Sequence, residues 1–200
     1  SSKIESLRSE IEIVRKECGL LAKKISTSRK SAAKKVKKET EVALKTLGIH
    51  DSCFEIKIEN EPADASSENF IIAEGRKYKC DSNGFDIVEF FVSTNIGEDP
   101  KPLVKVASGG EISRIMLALK SILVRTDKLP ILIFDEIDTG VSGRIALKVG
   151  QALKSLASFH QIIAITHLPQ IAGLSDFHFA VEKKKSGERV VSSIRLLNND

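Results

Sequence analysis

The chain has 200 residues, 42% hydrophobic and 29% charged, enough for one globular domain and an appendage. Its apolar runs are of strand length, too short to span a bilayer; no basic-then-apolar leader suggests secretion; and three cysteines without a Cys-x-x-Cys pair (Cys18, Cys53, Cys80) point to reduced thiols of a cytoplasmic protein rather than to a zinc site or disulfides. The net charge of +4 is uneven: residues 1–47 carry 13 Lys/Arg against 6 Asp/Glu, densest at Arg29, Lys30, Lys34, Lys35, Lys37 and Lys38, and the remainder is acidic. Such a strip is either a solvated helix face or an attractor for a phosphate backbone.

From Ile4 the apolar residues step by three and four through Leu7, Ile11, Val14, Cys18, Leu21 and Ile25 to Ser28 and Ala32. That is a heptad seam, the pattern of a coiled coil. Val36, Ala43 and Leu47 continue it only after a stutter, and Gly48 is a helix stop. A single amphipathic helix packed on its own domain is the alternative. The helix has no convincing N-terminal cap, and the expectation is the end of a truncated arm over 1–47, followed by a second domain over 48–200.

After Gly48 the period changes to two. Phe54, Ile56 and Ile58 predict a strand; 60–69 is a polar loop; strands follow near 70–80, with a turn at Ser82-Asn83-Gly84. Val88, Phe90 and Val92 alternate with Ile87, Glu89 and Phe91, a strand apolar on much of both faces and expected to be central. A loop covers 95–102. From Gly109 the pattern is β/α: a helix from 111 to 126, a strand at 131–134, a helix through Ile145–Leu156, a strand at 162–165 and a short helix at 169–174. Strands at 177–182 and 189–196 flank a turn at 183–187. The expected architecture is α/β, a parallel or mixed sheet covered by helices on both faces.

Three motifs carry chemistry. Ser108-Gly109-Gly110 ends a loop and opens a helix. Glycines let backbone approach a phosphate, the helix N-terminus offers free N–H groups, and Ser108 can cap the helix and bond a phosphate oxygen. Asp135-Glu136 ends the strand Ile131–Phe134, at the carboxyl edge where α/β sheets bind ligands. There Asp135 is suited to hold Mg²⁺ and Glu136 to polarise an attacking water. Asp138 to Gly143 form a turn suited to an interface. His167 ends the neighbouring parallel strand and is placed to donate to a γ-phosphate. Arg114 is either a phosphate or interface contact or a surface charge, and His50, His160 and His178 have no comparable placement. Each motif alone is commonplace; their order and spacing carry the reading. No Gly-x-x-x-x-Gly-Lys-Ser/Thr phosphate loop occurs in these residues.

These residues resemble the ABC-type ATPase family. Ser108-Gly109-Gly110-Glu111 is similar to its signature motif, Ile131–Glu136 to Walker B, Asp138–Gly143 to the D-loop and His167 to the switch histidine. The runs Lys105–Glu111, Phe134–Arg144 and Ile165–Ala172 resemble, more closely, the branch related to structural-maintenance-of-chromosomes proteins that repairs DNA double-strand breaks in bacteria. The resemblance implies the C-terminal lobe of a split ATPase head preceded by the end of a coiled coil. It implies ATP and Mg²⁺ as ligands. It also implies an N-terminal lobe of the same protein that carries Walker A, so the fragment alone is expected to be inactive. Two heads would sandwich ATP in a homodimer, with Ser108, Gly109 and Gly110 serving the opposite head's nucleotide and Asp135, Glu136 and His167 their own. Glu111 and Asp138 join the nucleotide-binding set through their motifs. DNA is the implied partner, with a cytoplasmic, nucleoid-associated location and no membrane. A transporter motor shares the motifs but would not need the heptad arm, and a non-catalytic coiled-coil DNA-binding or scaffold module would not need the Asp135-Glu136 pair.

Overall fold

The computed structural model describes residues 2–64, 66–106, 108–124, 126, 129–186 and 189–197. It divides into two compact units, residues 1–42 with 51–106 and residues 43–50 with 107–200. The expected helix is continuous: α1 spans Ser2–Thr46. It ends as expected, at Gly48. The Ile49 N–H bonds the Leu44 carbonyl at 2.9 Å and the Gly48 N–H bonds that of Lys45 at 3.3 Å, while Gly48 takes φ +89°. This is a Schellman closure, and its two apolar ends, Leu44 and Ile49, are buried.

In the first unit, α1 uses two faces. Its heptad seam is open among the described residues, with Leu7, Ile11, Val14 and Leu21 all about half exposed or more. A second stripe, Gly19, Ala22 and Ser26, is buried. These are small residues, and the reason is contact distance. A Cβ on Gly19 would lie 1.9 Å from the Ile72 carbonyl oxygen, so only glycine lets the helix lie against that backbone. The backbone belongs to a hairpin of β2 (Phe70–Ala73) and β3 (Arg76–Lys79), turned at Glu74-Gly75, both with positive φ. Ala22, Ile71 and Phe85 form a small core with Tyr78 and Cys80 packed on it.

The same unit holds an antiparallel sheet in the order β1-β4-β5, built from β1 (Cys53–Asn60), β4 (Asp86–Ser93) and β5 (Lys101–Pro102). β4 is central in that order, as its pattern predicts. Phe54 and Val92 pair across it and are buried, whereas Ile87, Val88 and Phe90 stay exposed. β5 and the 3-10 turn at Leu103–Lys105 fall near and beyond the end of the expected 95–102 loop, because two-residue pairing leaves no periodic trace. The basic strip is partly internal wiring. Arg29 is bound to Asp86 at 3.0 Å and to the Asn83 carbonyl at 2.7 Å. Lys37 donates to Glu41 and to the Phe54 carbonyl. Lys30, Lys34 and Lys38 remain as an exposed i, i+4, i+8 row.

In the second unit, α2 (Gly109–Leu123), β6 (Ile131–Phe134), α3 (Gly143–Leu156), β7 (Gln161–Ala164) and α4 (Pro169–Ala172) follow the predicted order. Helix α2 stops at Leu123, short of the expected 126; Ala107, Arg125 and Gly187, which the sequence reading places in a motif run, a helix and a turn, lie outside the described residues. β6 and β7 pair in parallel, Phe134 opposite Ala164. β8 (His178–Ser186) and β9 (Arg189–Leu197) form an antiparallel ribbon. No continuous large sheet forms among the described residues: there are four small ones. Helices cover one face of the parallel pair, and the other is open among the described residues. Leu132 and Phe134 are buried with Ile115, Leu117, Val149 and Leu153 of the helices, but Ile131, Ile133, Ile163 and Ile165 are 44–66% exposed. Alternation in a parallel pair puts these residues on the opposite face.

Candidate functional site

Ser108 caps α2 in extended conformation, and its Oγ accepts the Glu111 N–H at 3.4 Å. The two glycines behind it are close-approach residues. A Cβ on Gly109 would meet Glu136 Oε2 at 2.2 Å, and one on Gly110 would meet Thr139 Cβ and its carbonyl oxygen at 2.8 Å. The space the glycines leave is therefore filled by the acidic turn of the same chain. The turn is anchored from α2 as well. The Ser113 hydroxyl donates to the Asp135 carbonyl at 2.6 Å, and Arg114 donates to the Thr139 carbonyl at 2.7 Å. Arg114 is 6% exposed, so its reading as a surface charge is corrected: it is a buried brace of the turn after β6.

Asp135 and Glu136 stand exposed at the carboxyl end of β6. Asp135 Oδ1 accepts the Glu136 N–H at 2.9 Å. Glu136 has φ +55°, a left-handed conformation that costs a non-glycine residue about 1 kcal/mol or more. The strain sits at the residue expected to act as base. Asp138 is turned inward. It is 4% exposed; its Oδ2 accepts the Thr166 hydroxyl and the His167 N–H at 2.8 Å, and lies 3.1 Å from His167 Nδ1. Burial pushes its carboxyl pKa up, but these donors outweigh burial and hold it below the ordinary carboxylate range. The nucleotide contact implied for Asp138 thus meets a carboxylate oxygen already bonded inside the fold. His167 itself keeps a side chain 77% exposed. The structure brings Gly109, Gly110 and Glu136 together, and joins His167 to the acidic turn through Asp138.

Ser113 and Thr166 join this site without having been expected from sequence, and Arg114, expected as a phosphate or interface contact or a surface charge, joins it as a buried brace. Thr166 stands directly before His167, and Ser113 and Arg114 lie one turn into α2, on the side facing β6, so helical spacing from Gly109 and Gly110 was the available signal. His160, given no role, is buried, with Nδ1 2.6 Å from the Leu129 carbonyl oxygen.

The residues present suit a magnesium nucleotide. Mg²⁺ takes one or two carboxylates and completes its shell with phosphates and water. Asp135 offers an exposed carboxylate of that kind, and no group of three or more His, Cys, Asp or Glu among the described residues could hold a metal unaided.

The α/β fold with a long N-terminal helix matches part of solved Smc head domains. It is similar to the Smc head domain with an extended coiled coil from Pyrococcus furiosus (TM-score 0.59, 21% identity, 98% of this chain and 43% of that one). A second likeness is the Smc head domain with a coiled coil and joint from Pyrococcus yayanosii (TM-score 0.52, 22% identity, 82% and 27%). In sequence the chain is a relative of the DNA repair protein RecN along essentially its whole length. It is 37% identical to RecN of Bacillus subtilis over 197 residues, 98% of this chain and 34% of that protein. With RecN of Halalkalibacterium halodurans the figures are 38% over 198 residues, 99% and 33%. The chain thus spans about a third of the length of these relatives. No protein-family model matches it.

Proposed function

We propose that this chain is the motif-bearing C-terminal half of an ATP-hydrolysing head that serves DNA repair and recombination at double-strand breaks. The observation that carries the reading is one edge of the parallel pair: Asp135 and Glu136 end β6, and His167 follows the end of its neighbour β7. The residue roles are those of Walker B, D-loop, switch histidine and signature motif. Asp135 would hold Mg²⁺, which would neutralise phosphate charge. Glu136 orients and deprotonates water, and His167 completes the catalytic pair. Ser108, Gly109, Gly110 and Glu111 bind nucleotide at the opposite head of an ATP-sandwiched homodimer. The isoleucine face of β6 and β7 is the seat of the N-terminal Walker A lobe of the same protein. The heptad seam of residues 1–47 is the end of a coiled-coil arm, and 48–200 the lobe itself. DNA is the substrate of the assembly, at the nucleoid in the cytoplasm. No helix among the described residues is long and apolar enough to cross a membrane.

The test is Glu136→Gln in the full-length protein. The amide keeps shape and hydrogen bonding but cannot take a proton. Turnover should fall on the order of 10²–10⁴-fold with ATP still bound and dimers accumulating. Hydrolysis at near the unsubstituted rate would move the catalytic role to another residue.

A further inference from the structure

We propose that Asp138 is a positioning residue for His167: it holds the imidazole with its hydrogen on Nδ1 and leaves Nε2 as the ring nitrogen free for chemistry. This rests on the reading of His167 as a catalytic group. The geometry is specific. One carboxylate oxygen accepts the backbone N–H of His167 at 2.8 Å and lies 3.1 Å from the ring's Nδ1, so main chain and ring face the same oxygen. The Thr166 hydroxyl donates to the same oxygen and, through its own oxygen, accepts the Leu168 N–H at 3.1 Å. An ionised carboxylate only accepts, so the nitrogen facing it carries the hydrogen in the neutral and the charged ring alike. Asp138 is ionised there, because hydrogen bonds outweigh the effect of burial.

The consequence bears on what His167 can do. A neutral ring locked in this way has a lone pair at Nε2. It accepts from a water and cannot donate to a phosphate; only the doubly protonated ring donates at that nitrogen. Asp138 lies in the turn that follows Glu136, whose own carbonyl accepts the Thr139 N–H at 3.0 Å. Displacing this turn therefore turns the histidine ring, and residues Asp138 and His167 act as a unit.

Nitrogen NMR of the full-length protein with labelled histidine, recorded without nucleotide at a pH where the ring is neutral, tests the lock directly. A His167→Gln variant identifies the signal. His167 should show hydrogen on Nδ1. Asp138→Asn should keep that form, since its amide oxygen accepts the same bonds, and Asp138→Ala should revert to hydrogen on Nε2, the form a free imidazole favours. Hydrogen on Nε2 in the unsubstituted protein, or a ring unchanged in Asp138→Ala, overturns the proposal. Neither result depends on turnover, so the ATPase reading stands or falls separately. In turnover, Asp138→Ala and His167→Ala should each lose on the order of 10²-fold, and the double variant no more than the larger single loss. Multiplying losses would also count against it.

Discussion

Asp86 shows how a single buried carboxylate is made tolerable. Its side chain is fully buried, and Arg29, Ser26 and Asn60 bond it. Burial raises its pKa, but these bonds prevail and the pKa is lowered. A depressed carboxylate stabilises the fold above the unfolded value of about 3.9, and that stability is lost as pH falls through the lower folded value. Asp138 adds a second contribution of the same sign. Asp86→Asn should cost about 3 kcal/mol at neutral pH, because it strands a partly buried guanidinium. Denaturant midpoints measured from pH 6 to 3 should show the unsubstituted protein losing more stability than this variant. Parallel pH curves would mean that Asp86 does not carry the dependence.

At the scale of elements, the close approach of α1 to the β2–β3 hairpin sets helix propensity against packing. Gly19→Ala gains about 1 kcal/mol of intrinsic helix stability. It also puts a methyl group 1.9 Å from the Ile72 carbonyl oxygen, a backbone atom that cannot swing away. Overpacking of this kind costs about 1–3 kcal/mol, so the net change should be destabilising. A thermal melt with a raised midpoint would show that helix and hairpin separate easily. The helix, its glycine stop and most strands were legible in the sequence, since Ile4–Ile25 steps by heptads and Phe54–Ile58 alternates. The second, small-residue stripe was not. Gly19, Ala22 and Ser26 carry little hydrophobicity, and their value lies in the backbone they admit. The candidate site was legible at Asp135, Glu136 and His167 because strand ends announce themselves. The bracing by Ser113 and Thr166, and the internal target of Arg114, were hidden, because hydrogen bonds between distant elements leave no period.

For the whole molecule, the isoleucine face of β6 and β7 separates stability from assembly. Ile133 is 66% exposed, so Ile133→Lys should change the stability of this chain by no more than about 0.5 kcal/mol. If the face seats the Walker A lobe, the same substitution should abolish co-purification of the two halves expressed as separate chains, where the unsubstituted pair associates. Retained association would place the docking surface elsewhere. The isolated chain should not bind Mg-ATP with micromolar affinity, for want of a phosphate loop. Titration calorimetry measures this, and such binding would defeat the half-site reading.

The terminal ribbon has a consequence for the cell. Phe179 faces Leu196 and Val181 faces Ile194 across β8 and β9, on one side of a two-stranded sheet, and all four are 49–70% exposed. Two strands alone are barely stable in water, and an exposed apolar face favours association with other chains. This chain expressed alone should therefore self-associate through that face and be open to proteolysis.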